Sequence, residues 1–352
     1  MQIYNLFLKT NKQNADFLYI GVKLLKWFSV HGRDLPFRKA QDPYKIWICE
    51  IIFQQTRIQQ GLNHYHRFID RFPDVQTLAE ASSDEVLLHW KGLGYYSRAL
   101  NIHKASHQIM ENFGGVFPQE YDDILSLKGV GKYTAAAVHS ICFGGQLPAV
   151  DGNFYRVLSR IFADDYDIST TGAFSHFSSL ALLMMPLGKA GEFNQAVMDL
   201  GSEICRPRNP YCEICPLNAD CTAFQLKKVH EFPKKLKKIK PTELQLLYVF
   251  VQHGDHFLIR RRNESSIWKK LYEFPTEIDE KYKTYELDST EIKHKLTHRN
   301  LTVIIREFII KSQEEFETLA AEGGFYIVDY EQSAAKSFPK PLENYLKNRF
   351  EK

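Results

Sequence analysis

The spacing of apolar positions divides the chain into a helical part and a later part of mixed structure. From Asp16 to about Phe224, apolar residues recur every three or four positions, which is typical of helices that bury one face. One such face is formed by Ile58, Leu62, Tyr65, Phe68, Ile69 and Phe72, and further helices are predicted at 82–90, 97–113, 134–143, 153–162 and 193–204. Asp42-Pro43 predicts another helix start, because Asp caps a helix and Pro fits its first position.

The pattern changes after residue 226. Residues 227–240 hold seven lysines against the single acidic residue Glu231, and Pro233 interrupts them. A run of like charges with proline is typical of a solvated segment, so a basic linker is predicted at 227–241. Phosphate contact by these lysines is the alternative, and the sequence leaves it open.

The last third of the chain predicts strands. Segments rich in β-branched and aromatic residues lie at 244–252, 256–260, 301–310 and 325–328, and a closing helix is predicted at 341–349. The first two segments flank a short polar turn, which predicts a hairpin. The predicted parts are therefore an all-α region at 1–226, the linker at 227–241 and an α+β domain at 242–352.

Composition excludes several classes of protein. With 352 residues and 44% hydrophobic residues the chain can bury a core in two domains, and its net charge is only +3. The longest uncharged stretch, 168–188, contains six Ser or Thr, so no membrane span is expected. Residues 1–13 lack the apolar run of a secretory signal. Six cysteines are too few for a disulfide scaffold, and a cytoplasmic protein is predicted.

Four of the cysteines form a compact group. Cys205, Cys212, Cys215 and Cys221 are separated by six, two and five residues, which predicts one metal centre. A four-Cys zinc site usually has two C-x-x-C pairs, whereas this segment has one. The spacing favours a structural [4Fe-4S] cluster, and zinc stays the alternative. Cys49 and Cys142 lie in apolar runs and are interpreted as core residues.

A glycine-containing turn separates two predicted helices at 127–135. Gly129 and Gly131 flank Val130 and permit a tight turn, after which backbone N–H groups begin a helix at Lys132. Such a helix start can bind a phosphate oxygen without reading a base. From the two glycines alone, a plain structural link is equally compatible.

Two carboxylates occupy unusual positions. Glu50 interrupts an apolar run at 46–53, where an ionised carboxylate is costly unless it is neutralised or paired. It is either a general acid or a buried partner of an arginine that braces two helices, and the fragment does not decide. Asp151 precedes a predicted helix and can cap it, and a cap can also direct one oxygen into a cleft. Nothing in the spacing brings the two carboxylates together.

The motifs together resemble the adenine DNA glycosylase (MutY) family of the helix-hairpin-helix superfamily, which also includes endonuclease III. The matching segments are Leu35-Pro36-Phe37-Arg38, Glu50-Ile51-Ile52-Phe53-Gln54-Gln55-Thr56, Gly92-Leu93-Gly94-Tyr95-Tyr96, the turn at 127–135, Asp151-Gly152-Asn153, Phe193-Asn194-Gln195-Ala196 and the four cysteines. The resemblance implies a helix-hairpin-helix glycosylase with an iron-sulfur loop and a C-terminal Nudix-like domain.

The resemblance also implies an activity, which is the removal of adenine mispaired with 8-oxoguanine or guanine in double-stranded DNA. The enzyme is expected to be a monomer. The adenine would be flipped out of the duplex, because its glycosidic bond is inaccessible inside the stack. Glu50 would protonate the base at N7, and Asp151 would stabilise the sugar cation. Tyr133 and Asn153 match residues that position these groups, and Arg38 matches a residue of the adenine pocket.

Other matching residues would contact DNA. Gln55, Thr56 and Tyr95 match residues that enter the duplex, and Gly129, Gly131 and Lys132 belong to the hairpin that binds the backbone. In the C-terminal domain, Arg260-Arg261-Arg262 and the segment 268–275 resemble the family's 8-oxoguanine recognition domain, without a Nudix box for nucleotide hydrolysis. The recognition loop, usually Phe-Ser-His, is Leu296-Thr297-His298, so the polar contacts of Thr297 and His298 are retained and aromatic stacking is lost.

One position separates the branches of the superfamily. Bifunctional members carry a lysine at the position of Tyr133, and only an amine can form the Schiff base that leads to strand cleavage. A monofunctional glycosylase is therefore predicted. The alternatives are an endonuclease III-like enzyme for oxidised pyrimidines and a non-catalytic iron-sulfur DNA-binding protein. Gln195, at a position that is acidic in some members, is given a lesser role, and Phe37, which replaces the commoner Trp, is expected to affect packing alone.

Overall fold

The computed structural model describes residues 11–35, 38, 42–54, 56, 58–236, 240–262 and 267–351. The chain divides into two compact units. The first comprises Met1–Ala79 with Lys104–Lys238, and the second comprises Glu80–His103 with Ile239–Lys352. Residues 80–103, which the sequence assigns to the helical region, thus group with the C-terminal part of the chain.

Helices make up the chain up to residue 225. They are α1 (Asn11–His31), α2 (Pro43–Ile52), α3 (Ile58–Arg71), α4 (Val75–Glu80), α5 (Ser83–His89), α6 (Ser97–Phe113), α7 (Tyr121–Ser126), α8 (Lys132–Cys142), α9 (Gly152–Phe162), α10 (Ala173–Met184), α11 (Ala190–Asp199) and α12 (Thr222–Gln225). A π-helix, Leu200–Ile204, continues α11 directly. Helix α5 and the start of α6 belong to the second unit, and the other helices belong chiefly to the first.

Local sequence explains where these helices begin and how they pack. Helix α2 begins as predicted, since the Asp42 carboxylate accepts hydrogen bonds from the backbone N–H of Tyr44 at 2.9 Å and of Lys45 at 3.4 Å. The first unit's core is centred on Phe154, Phe177 and Phe193, all fully buried. These rings dominate the burial of apolar surface that holds α9, α10 and α11 together.

The glycine-containing turn predicted at 127–135 forms between α7 and α8. Gly129 has a φ of 81°, a left-handed conformation that favours glycine, and Gly131 is the N-cap of α8. Val130 is buried and anchors the turn, while Gly131 and Lys132 are exposed. The N-terminus of α8 is therefore open to solvent on one side of the turn.

The basic segment differs from the predicted solvated linker. Val229 and Phe232 are buried, and the Arg160 guanidinium donates to the backbone carbonyl of Val229 at 3.2 Å. The backbone N–H of Ile168 donates to the carbonyl of Lys234 at 3.0 Å. Residues 229–234 therefore pack on the first unit, because two apolar side chains among the lysines provide an anchor that a charge count does not reveal. Residues 237–239 lie outside the described residues.

The second unit contains a mixed sheet and helices. Its strands are β1 (Thr242–His253), β2 (His256–Arg261), β3 (Tyr272–Glu273), β4 (Glu286–Lys295), β5 (Arg299–Ile309) and β6 (Tyr326–Val328), and its later helices are α13 (Gln313–Gly323), α14 (Tyr330–Ala334) and α15 (Lys340–Phe350). The strand order is β3-β2-β1-β5-β4, and β6 pairs with β2. Strands β1 and β5 are parallel, and the other pairs are antiparallel.

Alternate residues of β1 enter separate cores. Tyr248 and Phe250 pack on one face of the sheet with residues of α15, whereas Val249 and Val251 pack on the other face with residues of α13. This follows from the two-residue period of a strand. Burial on both faces explains why β1 reads as a continuous apolar run in the sequence.

The hairpin of β1 and β2, the strands β5 and β6, and the closing helix α15 confirm the sequence predictions. Strand β4 and helix α13 were not predicted. Most of β4 is exposed, because it is an edge strand held by backbone pairing to β5. Its alternation of charged and apolar side chains is too weak to distinguish it from a loop.

Candidate active site

A cavity of about 600 Å³ opens in the first unit. Its wall is formed by side chains of α2, α8 and α11, by the start of α9 and by the π-helix. The residues on this wall that the sequence analysis singled out are Arg38, Glu50, Thr56, Tyr133, Asp151, Asn153 and Gln195. The fold thus brings residues from separate segments of the chain to one place, including the two carboxylates whose spacing alone did not connect them.

Glu50 lies near the C-terminal end of α2 and faces the cavity. Tyr133, in the first turn of α8, donates its hydroxyl hydrogen to Glu50 Oε2 at 2.7 Å. Burial raises the pKa of Glu50, the hydrogen bond from Tyr133 opposes this rise, and the charge of Asp151 adds to it. A protonated Glu50 is therefore favoured at a higher pH than is usual for a glutamate.

Asp151 caps α9, as predicted, and also faces the cavity. Its Oδ1 accepts hydrogen bonds from the backbone N–H of Asn153 at 2.8 Å and of Phe154 at 3.0 Å. Its Oδ2 accepts a hydrogen bond from the Asn153 side-chain amide at 2.7 Å. The carboxylate is thereby fixed at a helix N-terminus, where backbone N–H groups favour negative charge.

The two carboxyl groups have different partners. Burial raises the pKa of Asp151 as well, but the backbone N–H of Phe154 and the side chain and N–H of Asn153 oppose the rise. Among the described residues, three donors stabilise the ionised form of Asp151, whereas a single phenol donates to Glu50. Of the two, Glu50 is the better proton carrier and Asp151 the better anion.

A second layer of contacts supports Asn153. The Arg156 guanidinium donates to Asn153 Oδ1 at 2.7 Å and to the backbone carbonyl of Cys205 at 2.7 Å. Gly201, in the π-helix, lies against the same side chain, because an added Cβ would come within 2.8 Å of Asn153 Cβ and Oδ1. Only a glycine permits this close approach without displacing Asn153.

The four cysteines lie together beyond α11. Cys205, Cys212, Cys215 and Cys221 line one small pocket, and Arg160 Nη1 lies 3.2 Å from Cys205 Sγ. Burial, aided by the charges of the other three sulfurs, raises the pKa of Cys215 to about 12. Across the described ranges, no three Cys, His, Asp or Glu side chains have the arrangement that holds one metal ion.

The residues predicted to contact DNA fall in different places. Thr56 lies on the cavity wall, and Gln55 and Phe37 lie outside the described residues. Gly129, Gly131 and Lys132 form the turn before α8, and Lys132 Nζ lies 5.3 Å from the centroid of the Phe174 ring.

The second unit brings Tyr95 beside the predicted recognition loop. Tyr95 has a φ of 46° and is 48% exposed, and its hydroxyl hydrogen-bonds to Thr297 Oγ1. Thr297 and His298 are exposed at the turn between β4 and β5, while Leu296 packs against the core. Two motifs that are distant in the sequence thus meet at one exposed site.

Comparison with known proteins identifies the family to which the chain belongs. A family model described as "HhH-GPD superfamily base excision DNA repair protein" matches residues 48–180, and a NUDIX domain model matches residues 247–348. An adenine DNA glycosylase of Buchnera aphidicola subsp. Schizaphis graminum is 33% identical over 337 residues, which cover 92% of this chain and 96% of that protein. The chain belongs to the adenine DNA glycosylase family. The human adenine DNA glycosylase is 38% identical over 211 residues, which cover 57% of this chain and 39% of that protein.

Solved structures agree with the helical fold. The structure of a thermostable thymine-DNA glycosylase matches with a TM-score of 0.56 and 31% identity, over 61% of this chain and 98% of that one. An endonuclease III–DNA complex matches with a TM-score of 0.53 at 21% identity, over 61% of this chain and 97% of that one, and shares the fold. The predicted fold class, a helix-hairpin-helix glycosylase with a Nudix-like domain, is confirmed, and the chain is a base-excision DNA glycosylase.

Within the described part of the chain, no helix is long and apolar enough to cross a bilayer.

Some residues that support the cavity wall were missed in the sequence. Asp199 is buried at the end of α11 and binds Arg33 and Arg38, both of which line the cavity. The available signal was an acidic residue inside an apolar helical run, the same signal that identified Glu50. Arg156 had no such signal, because an arginine on a helix is ordinarily a solvated side chain.

Proposed function

We propose that this chain hydrolyses the glycosidic bond of adenine mispaired with 8-oxoguanine or guanine in double-stranded DNA. The observation that carries the proposal is the presence of the Glu50–Tyr133 and Asp151–Asn153 pairs in one cavity of about 600 Å³. A stacked adenine must leave the duplex to reach such a cavity. Similarity to adenine DNA glycosylases along nearly the whole chain supports adenine as the base.

Glu50 acts as the general acid. Because Tyr133 donates to Oε2, the proton for the substrate is carried on Oε1. Its transfer to N7 of adenine lets the base depart as neutral adenine, with the electron pair of the glycosidic bond passing to N9.

Asp151 stabilises the sugar that the base leaves behind. An oxocarbenium-like cation forms at C1′, and the ionised carboxylate, held by Asn153 and Phe154, lies on the cavity wall to balance its charge. Water then adds to C1′ and transfers a proton to the carboxylate of Glu50, which restores the acid. The products are free adenine and an abasic site.

The enzyme is monofunctional in this proposal. Tyr133 provides a phenol where a Schiff base requires an amine, and the described lining of the cavity contains no lysine. Treatment with borohydride during turnover should trap no covalent enzyme–DNA adduct. An efficiently trapped adduct would contradict this part of the proposal.

The central experiment compares four duplexes in single-turnover reactions. They contain adenine opposite 8-oxoguanine, adenine opposite guanine, thymine opposite guanine and an oxidised thymine opposite adenine. Alkali-labile sites should form in the first two duplexes. Cleavage confined to the oxidised thymine would favour the endonuclease III-like alternative, and cleavage of none would favour a non-catalytic DNA-binding protein.

Recognition of 8-oxoguanine is assigned to the second unit. Thr297 and His298 are exposed polar side chains at one turn, and Tyr95 adjoins Thr297. Thr297→Val keeps the shape and removes the hydroxyl, so it should reduce the preference for adenine opposite 8-oxoguanine over adenine opposite guanine. Thr302→Val on β5 is the control. An unchanged preference in the Thr297 variant would contradict the assignment.

We further propose that Cys205, Cys212, Cys215 and Cys221 hold a structural [4Fe-4S] cluster, which braces the loop after α11. Four half-buried thiols in one pocket fit this group, because ionised sulfurs so close together require compensating metal ions. Each iron of a cubane takes one thiolate, so the sulfurs need not converge on a single ion as in a zinc site. Purified protein should contain iron and sulfide, and Cys212→Ala should lose both.

Several coarser properties complete the proposal. The enzyme is taken as a cytoplasmic monomer that binds duplex DNA. Exposed lysines near the anchored Val229 and Phe232 are positioned for phosphate contact. Replacing Lys227, Lys228, Lys234 and Lys235 by Gln should flatten the salt dependence of DNA binding. An unchanged slope would favour a merely solvated segment.

A further inference from the structure

Two arginines on the wall of the active-site cavity share a buried aspartate behind them. Asp199 is fully buried, whereas Arg33 and Arg38 both reach the cavity wall. None of the roles proposed above uses Asp199 or Arg33. Burial of an unpaired carboxylate costs free energy, so the position of Asp199 needs an explanation.

The contacts of Asp199 are unusually complete. Arg38 Nη2 donates to Oδ1 at 2.7 Å and Arg38 Nη1 donates to Oδ2 at 2.8 Å, which is a two-pronged pairing. Arg33 donates from Nε to Oδ1 at 2.8 Å and from its backbone N–H to Oδ2 at 2.9 Å. Although burial opposes ionisation, the bonds from Arg38 and Arg33 hold the pKa of Asp199 below its usual value.

These contacts fix the plane of the Arg38 guanidinium. One edge is held by the carboxylate, Nη1 also donates to the Arg33 carbonyl at 3.0 Å, and one face lies 5.2 Å from the centroid of the Phe28 ring. Arginine side chains otherwise populate many rotamers. A guanidinium held in this way presents the same donors to the cavity in every molecule.

Asp199 also balances charge. The positive charge of Arg38 lowers the pKa of Glu50 and so opposes the protonated form that a general acid needs. A carboxylate paired with Arg38 offsets that charge close to its source.

We propose that Asp199 is a positioning residue for base excision, which holds Arg38 in the orientation that binds the flipped base. This inference rests on the proposed entry of the base into the cavity. Arg33 has the lesser role of completing the carboxylate's hydrogen bonds. Neither residue is proposed to touch the reacting atoms.

The test is a double-mutant cycle on the excision rate. Asp199→Asn, Arg38→Ala and the double variant are compared with wild type in single-turnover reactions, using whichever of the four duplexes the wild type cleaves fastest. Asp199→Asn should slow excision by about 10²-fold, because a misoriented Arg38 would hold the base away from its reactive position. Affinity for a duplex with a non-hydrolysable adenine analogue should change much less.

The double variant decides the inference. If Asp199 acts through Arg38, the double variant should be within about twofold of Arg38→Ala alone. Losses that multiply would mean that Asp199 supports the fold independently, and the inference would be wrong. Because the substrate is the one that wild type cleaves, failure of the adenine assignment and failure of this inference give different results.

Folding defects are separated by controls. Glu273→Gln disrupts an Arg–carboxylate–Arg cluster of similar burial outside the cavity and should leave excision within about twofold of wild type. If Asp199→Asn does not fold, Asp199→Glu keeps the charge and moves the carboxylate, and the same cycle with Arg38→Ala applies. A rate for Asp199→Glu equal to that of wild type would also contradict the inference.

Discussion

Two glutamates, one in each unit, accept a hydrogen bond from a tyrosine, yet their surroundings differ. Glu50 accepts a hydrogen bond from Tyr133 at 2.7 Å, and Glu273 accepts one from Tyr248 at 3.0 Å. Glu273 also pairs with Arg260 at 3.0 Å and with Arg262. Among the described residues Glu50 forms no ion pair, and the nearby Arg38 is engaged with Asp199.

The difference lies in the compensation of charge. The sequence left two interpretations of Glu50 open, a general acid and a carboxylate paired with an arginine. Glu273 has the second kind of surroundings. Glu273 is paired with two guanidinium groups and in this way connects β2 to β3. Among the described residues Glu50 has no such partner, so burial favours its protonated form, in agreement with the proposed role of general acid. In the proposed mechanism, a glutamate beside a tyrosine thus has a structural role in one unit and a chemical role in the other.

The largest expected effect is that of Glu50→Gln on excision. The amide cannot transfer a proton to the base, so the single-turnover rate should fall by about 10²–10⁴-fold. The measurement is alkali-labile product from adenine opposite 8-oxoguanine. A variant as active as wild type would remove the general acid from the mechanism.

Glu273→Gln should have the opposite profile. Removal of its charge leaves Arg262 buried without its partner, which should destabilise the protein by about 3–5 kcal/mol in urea unfolding. The excision rate of the folded fraction should be kept. If instead excision is lost while stability is unchanged, the contrast between the two glutamates is wrong.

The two tyrosines give a smaller contrast. Burial raises the pKa of Glu50, and the bond from Tyr133 opposes the rise, so Tyr133→Phe should raise that pKa further. Because the acid must be protonated, excision declines as pH rises through its pKa, and this alkaline limb should move to higher pH. Tyr248→Phe should leave the limb in place and cost about 1–3 kcal/mol of stability. A downward shift in Tyr133→Phe would contradict the assignment.

The smallest effect concerns stability and pH. The pKa of Glu50 is higher in the folded than in the unfolded chain. As pH rises above the pKa of the unfolded chain, the unfolded chain releases this proton while the folded chain still holds it. The free energy of unfolding therefore falls over this pH range. Glu50→Gln should therefore have a higher melting temperature than wild type at pH 8. The gap should close as pH falls towards the unfolded value. A gap that is the same at every pH would point to packing instead.

Much of the fold could be read from the sequence because its signals are local. The cap at Asp42, the helix at 58–72, the hairpin after Gly129 and the β1–β2 turn each depend on residues within a few positions of one another. The basic segment was misinterpreted because the anchoring of Val229 and Phe232 depends on Arg160, far away in the chain. Strand β4 was missed because its pairing with β5, rather than its own pattern, makes it a strand.

The candidate site divides in the same way. The sequence by itself determined which residue types were out of place, namely an acid in an apolar run, a cap before α9 and four cysteines in one segment. Only the tertiary structure decided that Glu50 has a phenol and, within the described part of the chain, no paired cation, and that Asp199 binds Arg38. The reason is physical. The protonation state of a buried carboxyl group depends on the donors and charges within a few ångströms, and those arrive from distant parts of the chain.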